Sequence, residues 1–158
     1  MAFDFNADEI FEMAEQMERN GAKFYSEAAL SIPAGRNRDL LLRLAEMELE
    51  HEKTFVEMRK ALTDQDKQNN VFDPEGETIQ YLKALVDTRV FFKKEIDTTS
   101  MKEILKEALL AEKDAIVFYL GMKDLVPEAQ GKSHLEHIIK EEMKHIKLIG
   151  RELSTAVS

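Results

Sequence analysis

A chain of 158 residues, 44% hydrophobic and 34% charged, carries about one domain's worth of sequence and enough apolar content to bury a core. The absence of cysteine excludes disulfides, thiolate metal sites, iron–sulfur clusters and cysteine nucleophiles, and a formal charge of −9 argues against nucleic acid and anionic membrane surfaces as partners. Six glycines and three prolines are too few for an all-β fold, no apolar run reaches the ~18–20 residues of a membrane span, and the acidic N-terminus lacks the apolar segment of a signal peptide. The expectation is an all-α, cytoplasmic protein.

The first helix is predicted from about Ala7 to Leu30. Asn6 and Glu9 form a candidate capping box, and Ile10, Phe11, Ala14, Met17, Gly21 and Tyr25 make one stripe at helical spacing. Ser31 to Gly35, with Pro33, breaks it. A second helix runs from about Asn37 to Leu62, with Leu41, Leu44, Ala45, Phe55 and Met58 facing inward. The polar stretch from Thr63 to Glu77 reads as a connection, followed by a helix over Thr78–Glu95 that carries Tyr81, Leu85, Phe91 and Phe92. Ser100 with Glu103 caps a helix to about Val126. After Pro127–Gly131, Ser133 with Glu136 caps a last helix to about Leu153. Residues 1–158 thus read as a single domain of two helical hairpins, about 7–62 and 101–153, joined by a long crossover, 63–100, that contains an extra helix. Such a crossover lets the hairpins pack side by side in a four-helix bundle.

The chain also repeats itself. At an offset of 94 residues, Glu18 falls on Glu112, Tyr25 on Tyr119, Pro33 on Pro127, Leu41 on Leu135, Glu48 on Glu142 and His51 on His145, with no gap. Such self-similarity marks a duplicated unit, here a helical hairpin. Glu48-x-x-His51 and Glu142-x-x-His145 each place a carboxylate and an imidazole one turn apart on one helix face. Those faces are the inward ones: Leu41, Leu44 and Phe55 share the stripe of the first pair, and Leu135, Ile138 and Ile149 that of the second. Glu18 and Glu112 interrupt apolar stripes in the same way. Glu18 lies about 15 residues before the Pro33 turn, roughly 22 Å at 1.5 Å per residue, and Glu48 lies a similar distance after it. The two share one level of the hairpin, and the same arithmetic holds for Glu112 and Glu142 about Pro127.

Four carboxylates facing one core need protons, salt bridges or cations as compensation. A single Glu-x-x-His in a glutamate-rich chain says little. Two of them on core faces, each 30 residues after another inward glutamate, point to a two-metal site with Glu18, Glu48, His51, Glu112, Glu142 and His145 as ligands. Carboxylate and imidazole in that ratio suit iron or manganese. Tyr25 and Tyr119 read either as core aromatics or as phenols bonded to a ligand carboxylate, and their position on the faces of Glu18 and Glu112 favours the second reading. His134 and His137 have no counterparts in the first hairpin and read as surface residues; Glu46, Glu50, Glu52 and Glu141 neighbour the motifs and read as solvated, with the alternative that one of them serves as a carboxylate that shifts onto a metal.

These residues resemble the ferritin-like diiron superfamily and, within it, rubrerythrin-like proteins. The resemblance rests on Glu18-x6-Tyr25 with Glu48-x-x-His51, on Glu112-x6-Tyr119 with Glu142-x-x-His145, and on the words Glu-Arg-Asn-Gly-Ala-Lys-Phe-Tyr and Glu-Lys-Asp-Ala-Ile-Val-Phe-Tyr that begin at Glu18 and Glu112. It implies two iron ions per chain, bridged by Glu48 and Glu142, with Glu18 and Glu112 as terminal ligands and one histidine on each. Rubrerythrins commonly carry a rubredoxin domain, which a chain without cysteine cannot contain, and a further glutamate where this chain has Ala115. The implied activity is reduction of hydrogen peroxide or O2, with electrons from an external donor such as a rubredoxin-like protein. A ferroxidase working in iron storage is the alternative, and a metal-free helical bundle a lesser one. The oligomeric state is open, a homodimer being compatible with the sequence.

Overall fold

The computed structural model describes residues 7–62, 77–88, 99–124, 126 and 131–157. Their helices are α1 Ala7–Leu30, α2 Arg36–Lys60, α3 Glu77–Thr88, α4 Met101–Lys123 and α5 Lys132–Val157. α1 packs along α2 and α4 along α5, and the two hairpins combine into a four-helix bundle with α3 laid against α4. The all-α fold expected from composition is the fold observed. Among the described residues no helix is long and apolar enough to cross a membrane.

The apolar stripes close into two clusters. One holds Phe11, Phe55, Phe118, Tyr119, Met122 and Leu135. The other holds Tyr25, Leu41, Leu44, Ile104, Leu105 and Ile149. In each of the four long helices the residues of the two clusters are separated along the chain by buried polar positions: Glu18, Glu48 with His51, Glu112, and Glu142 with His145. The interior therefore alternates apolar, polar, apolar along the bundle axis. An ion-pair network ties α2 to α1 beside the first cluster. Arg59 reaches Asp8 at 2.8 and 3.2 Å and Glu15 at 2.9 Å, which answers the otherwise costly burial of Glu15.

Several boundaries differ from the sequence expectation. Ser100 caps α4 as predicted, its Oγ accepting from Glu103 N at 3.3 Å. Ser133 does not cap α5: the helix has already begun at Lys132, and Leu135 N donates to Gly131 O at 3.1 Å. Gly131 takes the capping position with φ 104°, a conformation that side chains rarely adopt, and a Cβ there would stand 2.9 Å from Met58 Cε. α2 and α4 end a few residues early, at Lys60 and Lys123, while Leu62 and Val126 remain buried as tethers. Among the described side chains of α3, Leu82 is buried, whereas Tyr81 is 45% exposed. Gly121 allows this approach, since a Cβ on it would meet Tyr81 Cε1 at 2.8 Å and Leu82 Cδ2 at 3.0 Å. Asn6, Phe91, Phe92 and most of the 63–100 crossover lie outside the described residues.

Candidate metal centre

The six side chains singled out by the repeat meet in the polar layer, and none is more than 5% exposed. Their carboxylate and imidazole atoms form two groups, Glu18–Glu48–His51–Glu142 and Glu48–Glu112–Glu142–His145, each with its ligand atoms within 4.8 Å of one another. Glu48 and Glu142 belong to both. His51 Nδ1 lies 3.1 Å from Glu142 Oε1 and 3.6 Å from Glu18 Oε2. His145 Nδ1 lies 3.0 Å from Glu142 Oε2, 3.3 Å from Glu48 Oε1 and 3.4 Å from Glu112 Oε1. The two imidazoles stack with centroids 5.7 Å apart. Gly21 admits the Glu48 carboxylate closely, a Cβ there coming within 3.4 Å of Glu48 Oε2.

The tyrosines cross between hairpins. Tyr25 on α1 donates to Glu112 Oε1 on α4 at 2.7 Å, and Tyr119 on α4 donates to Glu18 Oε1 on α1. Seven residues are nearly two turns, roughly 10 Å along the axis, too far for a phenol to reach the glutamate of its own helix. Antiparallel packing of α1 and α4 brings each phenol level with the other helix's carboxylate. Burial, together with the field of Glu112 for Tyr25 and of Glu18 for Tyr119, raises both phenols well above their usual range and keeps them protonated donors.

The charges of the layer divide into two kinds. Burial pushes the Glu48 and Glu142 carboxyls well up, and repulsion from neighbouring glutamates pushes them further. Burial acts on Glu18 and Glu112 too. For Glu18 it is outweighed by the close approach of Glu48 and His51, and for Glu112 by that of Glu142 and His145, which hold that carboxyl at about 2. Burial opposes the imidazolium form of both histidines, yet Glu18 raises His51, and Glu112 with Glu48 raises His145 to about 10. With protons as the only counter-charges, two ionised carboxylates balance two imidazoliums and two carboxyls stay neutral. Fully deprotonated, four carboxylates at −1 and two neutral imidazoles carry −4, the charge that two divalent cations cancel. Glu18 Oε2, Glu48 Oε1, Glu142 Oε2 and His145 Nδ1 are buried and satisfy no hydrogen bond among the described residues. Orphaned polar atoms that converge from α1, α2 and α5 are what a cation would satisfy. The donor set, rich in oxygen with one imidazole per group, fits a pair of first-row divalent ions.

Glu141 was read from the sequence as a solvated neighbour, and the structure places it differently. Its Oε2 lies 2.7 Å from His51 Nε2, and its Oε1 lies 2.5 Å from Nε2 of the exposed His137. A chain of three side chains thus runs from the buried layer to the surface. The available signal was the pair His137 and Glu141 at a spacing of four, on a face continuing to His145. His134 is exposed, and Glu46 and Glu50 are solvated as expected, while Glu52 is half-buried beside Arg19 at 3.5 Å.

A crystal structure of a ferritin-like diiron-carboxylate protein from Thermotoga maritima matches this chain with a TM-score of 0.70, covering 95% of each chain at 22% identity. The fold is that of the ferritin-like helical bundles. The family model for rubrerythrin matches residues 9–153, a span that contains all six side chains of the layer. The chain belongs to the rubrerythrin family. No curated protein matches it.

Proposed function

We propose that this protein is a non-haem diiron oxidoreductase that reduces hydrogen peroxide or O2 with electrons from an external donor. The observation that carries the reading is the gathering of six buried ligand-type side chains into two groups that share Glu48 and Glu142. Glu48 and Glu142 would contact both ions, Glu18 and His51 would complete one position, and Glu112 and His145 the other. Held there, a ferrous pair would supply two electrons, which with two protons would suffice to convert one hydrogen peroxide into two waters, and a separate donor such as a rubredoxin-like protein would have to return them. The protein's part is to hold and shield. Tyr25 and Tyr119 fix the orientation of Glu112 and Glu18 through their hydroxyls. Phe55 and Phe118 on one side and Leu44 and Leu105 on the other exclude bulk water, which strengthens every electrostatic interaction in the layer. Glu141 accepts the Nε2 proton of His51 and so leaves Nδ1 facing inward.

Anaerobic reconstitution with ferrous iron should load about two irons per chain, and hydrogen peroxide should then oxidise them, as read by near-ultraviolet absorbance, faster than O2 or at a comparable rate. His51→Ala and Glu48→Ala, confirmed folded by circular dichroism, should lose iron and oxidation together. A folded wild-type chain that takes up no specific iron would overturn the proposal, and so would full peroxide-driven oxidation in Glu48→Ala.

A further inference from the structure

The two hairpins repeat each other at an offset of 94 residues, yet beside the polar layer the repeat is broken where Glu141 of the second hairpin corresponds to Met47 of the first. The consequence falls on the histidines. His51 is held at its outward nitrogen, Nε2, by Glu141 Oε2 at 2.7 Å, and it presents Nδ1 to Glu142 and Glu18. His145 presents Nδ1 inward in the same manner, but its Nε2 is buried and satisfies no hydrogen bond among the described residues. Both oxygens of Glu141 are engaged, the second by His137, so the carboxylate is anchored rather than free to turn away. Met47, half-buried at the equivalent place, offers only a weakly accepting thioether.

We propose that Glu141 makes the two cation positions unequal, so that the group Glu18–Glu48–His51–Glu142 takes a divalent ion first and more tightly than the group containing His145. This rests on the reading of the layer as a metal centre. Glu141 is a positioning residue and touches no ion itself. A carboxylate that accepts the Nε2 proton fixes the tautomer whose Nδ1 lone pair points inward, locks the ring plane and raises the basicity of the donating nitrogen. Loss of such a partner lowers metal affinity by roughly 10–100-fold. His145 Nε2 meets no such acceptor among the described residues, so its half begins from a less organised state. The repeat makes the six ligand-type side chains of the two halves alike, and Glu141 on α5 is a side chain that meets the histidine of one half alone among the described residues.

The test is a stepwise anaerobic titration of the full chain, stripped of metal, with Co(II) as the probe, read by visible absorption and calorimetry. The wild type should bind two equivalents in two resolved steps whose affinities differ by about 10–100-fold. Glu141→Met, which installs the first hairpin's residue, should weaken the first step by that factor and merge the two, with the second step and the total stoichiometry unchanged. Glu141→Gln keeps an acceptor oxygen without its charge and should fall between the two, and it serves if Glu141→Met melts early. Lys140→Ala, on the exposed face beside it, should leave both steps as in the wild type. Two indistinguishable steps in the wild type, or resolved steps that survive unaltered in folded Glu141→Met, would overturn this inference and leave the metal centre standing. No Co(II) uptake by the folded wild type would instead overturn the metal centre, and this inference with it.

Discussion

The cluster around Phe11, Phe55 and Phe118 and the layer made by Glu18, Glu48, His51, Glu112, Glu142 and His145 occupy adjacent levels of the same four helices, and opposite physics holds them together. In the cluster, burial removes apolar surface from water at about 25 cal/mol per Å² with no directional demand, so swaps of similar volume are tolerated. In the layer, burial is the main opposing force for each ionised group, and each is stabilised only by partners at defined atoms. The comparison teaches that this bundle is held together by its ends and specialised at its middle. A substitution should reveal which region it strikes by whether stability or metal uptake changes first.

The largest effect is expected from Glu142→Gln. The side chain keeps its shape and the metal-free fold keeps its neutral group, because Glu142 is held protonated by burial and by Glu112 and Glu18. Metal uptake, however, should fall from about two ions per chain to near none, since Glu142 serves both groups. Elemental analysis beside thermal melts of the stripped protein checks this; a variant that loads both ions would remove the contrast between the regions. Leu41→Ala, in the far cluster, should do the reverse. Leu41 is fully buried, and its truncation should cost about 2–5 kcal/mol in denaturant unfolding with two ions still bound.

The most gradual effect is expected from pH alone, because it titrates the groups of the layer one at a time instead of removing a side chain. Glu112 is held at about 2, below its ordinary 4.5, so its contribution is present above pH 4.5 and lost as pH falls toward 2. His145 is raised from 6.5 to about 10, so its contribution is present below pH 6.5 and lost as pH rises through about 10. The raised Glu48 and Glu142 contribute fully below pH 4.5 and lose that contribution as pH rises above it, which adds to the loss at high pH. Melting of the stripped chain should therefore weaken toward both extremes, and Glu142→Gln should flatten the alkaline limb. Metal binding displaces protons from these same groups, so metal affinity should rise with pH where stability of the stripped chain falls.

Much of this was legible in the residues. The six layer side chains interrupt apolar stripes and recur at a fixed offset, and a rise of 1.5 Å per residue put them at one level before any packing was known. Ser100 announced its helix because a cap is a local interaction between residues three apart. The cap at Ser133 failed for a reason no local pattern contains: Gly131 takes a positive φ beside Met58, which lies on α2, far away in sequence but adjacent in space. Leu82 in place of Tyr81 depends likewise on how α3 meets Gly121.

Periodicity and repetition by themselves determined that the chain is helical, that it is built from two like hairpins, and which six side chains share a level, because each of these follows from spacing along a single helix. The exchange of Tyr25 and Tyr119 between the glutamates of opposite hairpins, the capture of His51 by Glu141 and the absence of such a partner at His145 Nε2 among the described residues were decided only in the tertiary structure. Those features depend on the rotation and crossing of helices about their neighbours. A helix's own sequence specifies which face is apolar, but leaves the atoms that meet it to be set by packing.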